Sequence, residues 1–349
     1  MARGQTIFSE LTVGLGIING GFDKKSLAKI KNVTNSDTVA FLKVLLKNKQ
    51  NPNRWKDAMK LNKSGRAIGD WMSLQGFSKL NVAWIGHVSI GSVEKASKDI
   101  EIINANWRVS VKENSNILIN SSPEWVFEKL PHAEFDKIRG KDWFMHTAKQ
   151  EFQDYYSACG GKKFTGCDSV IDYYKATKSQ KNRKVFGNHV AALHTVKTPV
   201  VMGAYKKFCQ KVSSKSAEIF NEQISELKKG KNYKKKFELI FHEFFRVNAV
   251  RYILAGIDKG EPFAIILNPS SEWSKGYEFL DIQALPKDAG QPEVLLRFFF
   301  KDKTSNEKFE IDLKAEIRWS HGKFCGNPES KLYKLWKYKD LPWVNDIIL

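Results

Sequence analysis

The chain has few cysteines for its length: Cys159, Cys167, Cys209 and Cys325 are spread irregularly over 349 residues. A disulfide framework would need regular pairs, and a zinc site would need a second close pair or a histidine couple. Four free thiols in a reducing cytoplasm are therefore expected. No apolar run approaches the ~18 residues of a membrane span, and Met1-Ala2-Arg3-Gly4-Gln5-Thr6 lacks the apolar segment of a secretory leader, so a cytoplasmic protein without a membrane is the expectation. Gly-x-Ser-x-Gly, Gly-x-x-x-x-Gly-Lys-Ser/Thr and a strand-bounded Gly-x-Gly-x-x-Gly are all missing, which removes the serine-hydrolase, P-loop and dinucleotide-binding classes. Acidic residues are also scarce: 38 Asp and Glu stand against 57 Lys and Arg, for a net charge of +19. Such an excess predicts a polyanionic partner, with nucleic acid the first choice and an anionic membrane surface the second.

What is present suits a folded protein: 42% of the residues are hydrophobic and 27% charged, with 10 Trp and 23 Phe as core material. The length predicts two domains, or one with large insertions. Residues 1–24, with Gly14, Gly16, Gly20 and Gly21, read as a loop. Apolar periodicity predicts a helix over Ser26–Lys49 and another over Trp55–Gly76. A long helical stretch is expected from Pro123 to about Asn248, followed by an antiparallel β region with no helix signal until about Ser330. In that region Asp258-Lys259-Gly260 marks a tight hairpin turn. The change of character near residue 248 predicts an α/β domain over 1–248 and a β-rich region over 249–349.

The most informative stretch is Lys98–Asn120. Asp99-Ile100-Glu101-Ile102 alternates, breaks at Asn104-Ala105-Asn106, and Trp107–Lys112 resumes the alternation, which predicts a hairpin. With Ile100, Ile102, Val109 and Val111 buried, Asp99, Glu101, Ser110 and Lys112 share the other face. A carboxylate and an amine are thereby brought close across the strand pair. A strand-like run precedes the hairpin (Val82–Val88), and a capped helix start follows it at Ser121-Ser122-Pro123-Glu124-Trp125.

In these residues the chain resembles the PD-(D/E)xK nuclease superfamily, and within it the type II restriction endonucleases. Asp99 matches the acid that opens one strand, and Ser110-Val111-Lys112 lies where the (D/E)xK tripeptide belongs. Ser110 departs from that pattern, so Glu101 or Glu113 would supply the missing negative charge. The resemblance implies a restriction-endonuclease-like mixed sheet flanked by helices, with a C-terminal antiparallel β-rich region. It also implies Mg²⁺-dependent hydrolysis of double-stranded DNA at a specific sequence. Asp99, Ser110, Lys112, Glu101 and Glu113 would form the catalytic group, with Asp99 and Glu101 on the metal. A homodimer and a separately encoded DNA methyltransferase would be the partners.

Two other regions are candidates for contact with DNA. Arg318, His321, Lys323 and Asn327 cluster at the end of a predicted strand and are base-reading residue types. Lys234, Lys235 and Lys236, in the basic run Lys228–Lys236, suit phosphates; so does Lys175–Lys184, with Tyr173 and Tyr174 beside it. Asp312-Leu313-Lys314 is a second DxK, but no acid opens a strand upstream of it, which favours the first hairpin. His146 is expected to be structural. The alternative reading of the whole is a non-catalytic nucleic-acid-binding protein, supported by charge and aromatics alone.

Overall fold

In a computed structural model, residues 2–86, 99–113, 116–132, 142–177, 179–245, 252–267, 270–337 and 340–347 are described. The protein is mixed α/β, with 11 helices among those residues and two sheets, one mixed and one antiparallel. Helices α1 (Ala2–Ile17), α2 (Lys24–Leu27), α3 (Asn35–Lys49) and α4 (Pro52–Leu74) precede strands β1 (Val82–Trp84), β2 (Ile100–Ile102) and β3 (Trp107–Glu113). Strand β4 (Ile117–Ser121) is followed by helices α5 (Trp143–Ala158), α6 (Gly161–Thr165), α7 (Val170–Ala176), α8 (Gln180–Thr195), α9 (Pro199–Lys228) and α10 (Tyr233–Phe245). Then come β5 (Tyr252–Asp258), β6 (Glu261–Leu267), helix α11 (Ser270–Gly276), β7 (Tyr277–Lys287), β8 (Glu293–Asp302), β9 (Lys308–Trp319), β10 (Pro328–Lys334) and β11 (Val344–Asp346).

The chain forms two compact units, each discontinuous in sequence. The first comprises Met1–Ser115, Phe241–Tyr277 and Trp336–Leu349, and the second Asn116–Ile240 and Glu278–Leu335. The division expected near residue 248 falls inside the first unit. Its cause is long-range pairing: β3 runs parallel to β5, with Arg108 opposite Tyr252 and Lys112 opposite Gly256. The stretch expected to be one β region is thus shared between two sheets, β5, β6 and β11 joining β1–β3, and β7–β10 joining β4. Residues 246–251, where that boundary was expected, and residues 87–88 of the expected first strand lie outside the described residues.

In the first unit the sheet order is β1-β2-β3-β5-β6-β11. Its core is built from Ile100, Ile102, Trp107, Val109, Ile253, Ala255 and Ile257 of the sheet with Phe8, Leu11 and Leu15 of α1 and Leu61, Ile68 and Met72 of α4. The expected β2–β3 hairpin forms, with Ile100 opposite Val109, Ile102 opposite Trp107 and Asn106 in the left-handed conformation at the turn. The expected β5–β6 turn also forms, with positive φ at both Lys259 and Gly260.

Three expectations are corrected. Residues 2–17 form a helix where a Gly-rich loop was expected. Glycine lowers intrinsic helix stability by about 1 kcal/mol relative to Ala, but here it permits a close helix crossing. A β-carbon on Gly16 would overlap the Asn62 carbonyl oxygen of α4 and lie 2.8 Å from Gly65 Cα. The helix expected over Ser26–Lys49 is two helices, because Asn32 takes a positive φ and Thr34 starts a new one with a capping box to Asp37. The segment at Ser330 is strand, not helix, because β10 fills the place between β4 and β9.

The second unit sets the sheet β4-β10-β9-β8-β7 beside an aromatic core contributed by helices and strand ends. Phe144 and Phe152 of α5, Phe208 of α9, Trp319 of β9 and Phe324 are all buried, with Phe144 and Trp319 ring centroids 4.4 Å apart. Area burial of that kind stabilises by roughly 25 cal/mol per Å².

A candidate active site on the β2–β3 hairpin and helix α1

Alternation along β2 and β3 sets out the site. Ile100 and Val109 are fully buried on the core side, so Asp99 and Ser110, one step along each strand, turn to the other side. Asp99 lies just ahead of β2, and its backbone N–H donates to the Val109 carbonyl (3.0 Å). Its carboxylate is held by two donors on the facing strand: Ser110 Oγ (3.0 Å) and the Val111 backbone N–H (2.6 Å) both donate to Oδ2. Ser110 is itself buried, at 3% exposure, so its hydroxyl anchors the acid.

The second carboxylate comes from α1, which was not expected to contribute. Glu10 is 7% exposed, and Trp84 of β1 donates its indole N–H to Glu10 Oε2 (2.7 Å). Burial first and repulsion from Asp99 second raise the Glu10 pKa, the Trp84 hydrogen bond and the Lys112 ammonium pull it down, and the balance moves it from its usual 4.5 to about 8. That balance puts Asp99 and Lys112 both within electrostatic reach of Glu10. Glu10 stood in the segment read as a loop, where no periodicity drew attention to it. The usable signal was a lone acid on an otherwise uncharged and mostly apolar run, Ile7–Ile18.

The other expected site residues are placed as follows. Glu101 lies on β2 opposite Arg108. Glu113 turns toward α1 and α4: Ser9 Oγ donates to it in a short hydrogen bond, Gln5 Nε2 lies 3.5 Å away, and Arg54 Nη1 is at 3.9 Å. It thus ties α1 to β3 one residue away from Glu10 on the helix and Lys112 on the strand. Gly256 presses on the back of Lys112. Its φ is +144°, and a β-carbon there would overlap the Lys112 carbonyl oxygen and lie 2.8 Å from the carbonyl carbon. Gly256→Ala is expected to cost roughly 2–4 kcal/mol, since both the backbone conformation and the strand spacing resist it. A urea titration against the wild type measures this, and a loss under about 0.5 kcal/mol would contradict it.

No protein family, curated protein or solved structure matches the chain. The site therefore rests on its own geometry.

The expected DNA-contacting residues all belong to the second unit. Arg318 is paired within its sheet, Nε to Glu329 at 3.1 Å and Nη1 to Glu316 at 3.4 Å. The Lys323 ammonium lies over the Tyr205 ring, 4.6 Å from its centroid, and burial lowers its pKa. His321 and Asn327 are exposed. Lys234, Lys235 and Lys236 are exposed on the first turn of α10.

The tyrosines beside the Lys175–Lys184 run face inward: Tyr173 is buried, and Tyr174 accepts a hydrogen bond from Trp319 Nε1 (3.1 Å). Arg183 of the same run donates to the carbonyls of Thr177 (2.6 Å) and Tyr174 (3.2 Å). The rival Asp312-Leu313-Lys314 is absorbed into a ladder of ion pairs. Arg297 binds Asp312 through two nitrogens (2.9 and 3.0 Å), and Lys314 reaches Glu293 (3.0 Å). His146 lies 3.2 Å from Glu128 and packs on Trp143.

A divalent hard cation suits the first site. Among the described residues no group of three or more His, Cys, Asp and Glu side chains is placed to share a metal ion. Mg²⁺ commonly needs only one or two carboxylates, with water and substrate phosphate completing the shell. The fit is electrostatic: burial first and the Asp99 charge second keep Glu10 protonated to about pH 8, and a cation in the proton's place would relieve both.

Proposed function

We propose that the protein is a Mg²⁺-dependent DNA endonuclease of the type II restriction kind, with its chemistry on α1 and the β2–β3 hairpin. The observation that carries this reading is Glu10, buried on α1 and within electrostatic reach of Asp99 and Lys112. It returns to the site the carboxylate that Ser110 does not provide. A mixed sheet with a helix packed on the strands that bear the acid and the lysine also fits a restriction-endonuclease-like fold.

Asp99 and Glu10 would hold the cation, with the Val111 carbonyl as a further oxygen. Bound there, Mg²⁺ polarises the phosphoryl oxygen and acidifies water. The chain's own residues do the positioning. Ser110 and the Val111 N–H fix the Asp99 carboxylate, and Trp84 fixes that of Glu10. Lys112 lies against the scissile phosphate, orients the attacking water and offsets the charge that develops in the transition state. The substrate is double-stranded DNA with a specific sequence, read by the second unit's exposed polar residues. A homodimer on a palindromic site and a separately encoded methyltransferase complete the proposal.

Incubation with plasmid, first with Mg²⁺ and then with EDTA, tests it. Discrete fragments that disappear with EDTA support the enzyme, whereas retardation without cutting leaves a non-catalytic nucleic-acid-binding protein. Binding is also expected to depend steeply on salt. If ~6 phosphates are neutralised per protomer, log K falls with log[salt] at a slope near −5. An anisotropy titration with a slope near zero would assign the net charge of +19 to something other than nucleic acid.

A further inference from the structure

Gly86 follows β1 at the edge of the candidate site and is exposed to solvent. Its φ lies outside the left-handed range, so its backbone does not require glycine. Its surroundings do. A β-carbon on Gly86 would overlap Glu10 Oε2 and lie 2.8 Å from both Glu10 Cδ and Trp84 Nε1. Those groups make the 2.7 Å hydrogen bond that holds the Glu10 carboxylate in place. An exposed glycine with ordinary dihedrals usually tolerates alanine, but this one has a buried carboxylate where the methyl would go.

We propose that Gly86 is a positioning residue for Glu10: its missing side chain lets the carboxylate rest against the Trp84 indole and face Asp99. The atoms that would have to move belong to the tip of a side chain, not to backbone. The protein therefore accommodates Gly86→Ala by turning Glu10 away, which breaks the indole hydrogen bond and separates the two carboxylates. The link to a cation rests on the function proposed above; the link to Glu10 and Trp84 does not.

The experiment follows the Trp84 indole N–H of the full-length protein by NMR, with Mg²⁺ affinity measured by calorimetry. In Gly86→Ala the indole N–H is expected to lose the Glu10 carboxylate to which it now donates. The indole resonance moves, and Mg²⁺ affinity falls at least ~10-fold, which is about 1.4 kcal/mol. The melting temperature changes little. A folded Gly86→Ala protein with the wild-type indole shift would overturn the proposal.

A second arm covers poor folding of that variant. Gly86→Ala introduced into Glu10→Ala meets no carboxylate, so it should lower the melting temperature less there than in the wild type. Equal loss in the two backgrounds overturns the proposal, because the backbone would then be the reason for glycine. If the wild type neither binds Mg²⁺ nor cuts DNA, the functional reading fails, while the indole shift and the paired melting temperatures still decide the role of Gly86.

Discussion

Glu10→Gln is expected to abolish cleavage and yet make the metal-free protein more stable at pH 8. The reason is the cost of a buried carboxylate beside Asp99. Burial first, and Asp99 second, raise the Glu10 pKa from 4.5 to about 8, so the folded protein binds this proton more tightly than the unfolded chain does. The resulting stability is fully present below the unfolded value near 4.5. It is lost as pH rises toward the folded value near 8 and is gone above it. A tenfold difference in proton affinity is worth about 1.4 kcal/mol, so the total is on the order of a few kcal/mol. Glutamine stays neutral throughout and keeps an oxygen for the Trp84 indole.

Metal-free thermal melts between pH 5 and 9 should therefore converge for the two proteins at low pH and separate as pH rises, with the variant higher. Adding Mg²⁺ should restore the wild type at pH 8 and leave Glu10→Gln unmoved, since in the proposed site the cation takes the place of the Glu10 proton. Parallel melting curves across the range would show that Glu10 titrates normally. Equal stabilisation of both proteins by Mg²⁺ would place the cation elsewhere.

The second large effect concerns Lys112. Lys112→Ala should lower the cleavage rate roughly 100- to 1000-fold while DNA affinity stays within about twofold, because a group aimed at developing charge acts in the transition state and not in the bound ground state. Lys112 is only half-buried, so the fold tolerates its loss, and an unchanged melting temperature is part of the expectation. Asp99→Ala should reduce cleavage as much and should also weaken Mg²⁺ binding, leaving Ser110 Oγ and the Val111 N–H without the acceptor they now share. Single-turnover cleavage with separately measured DNA binding distinguishes the cases. Full activity in either variant would remove this hairpin as the active site. The rival Asp312 and Lys314 would inherit the assignment with a handicap, since both are held in ion pairs by Arg297 and Glu293.

The β2–β3 hairpin was legible in the sequence because strand alternation is local. A period of two over Asp99–Ile102 and Trp107–Lys112 assigns every side chain to a face without knowledge of the rest of the chain. The strands at β5–β9 followed from the same kind of pattern. The replacement for the acid missing at Ser110 was not legible. Glu101 and Glu113 were the acids nearest in sequence, but Glu113 turns to Ser9 and Arg54, and the acid that burial and charge couple to Asp99 is Glu10.

Glu10 went unnoticed because its helix contradicts local propensity. Gly14 and Gly16 argue against helix on their own, and the compensating gain is a crossing with Gly65 of α4 that exists only once both helices are packed. The domain boundary failed for a related reason: β5 and β6 resemble the strands that follow them, but parallel pairing with β3 draws them into the first sheet. Composition and alternation by themselves determined a basic, mixed α/β protein with an acid and a lysine on one hairpin. Tertiary structure decided which carboxylate joins them and which glycines make room for it, because helix crossings, parallel pairing and the burial that shifts a pKa arise between segments far apart in sequence.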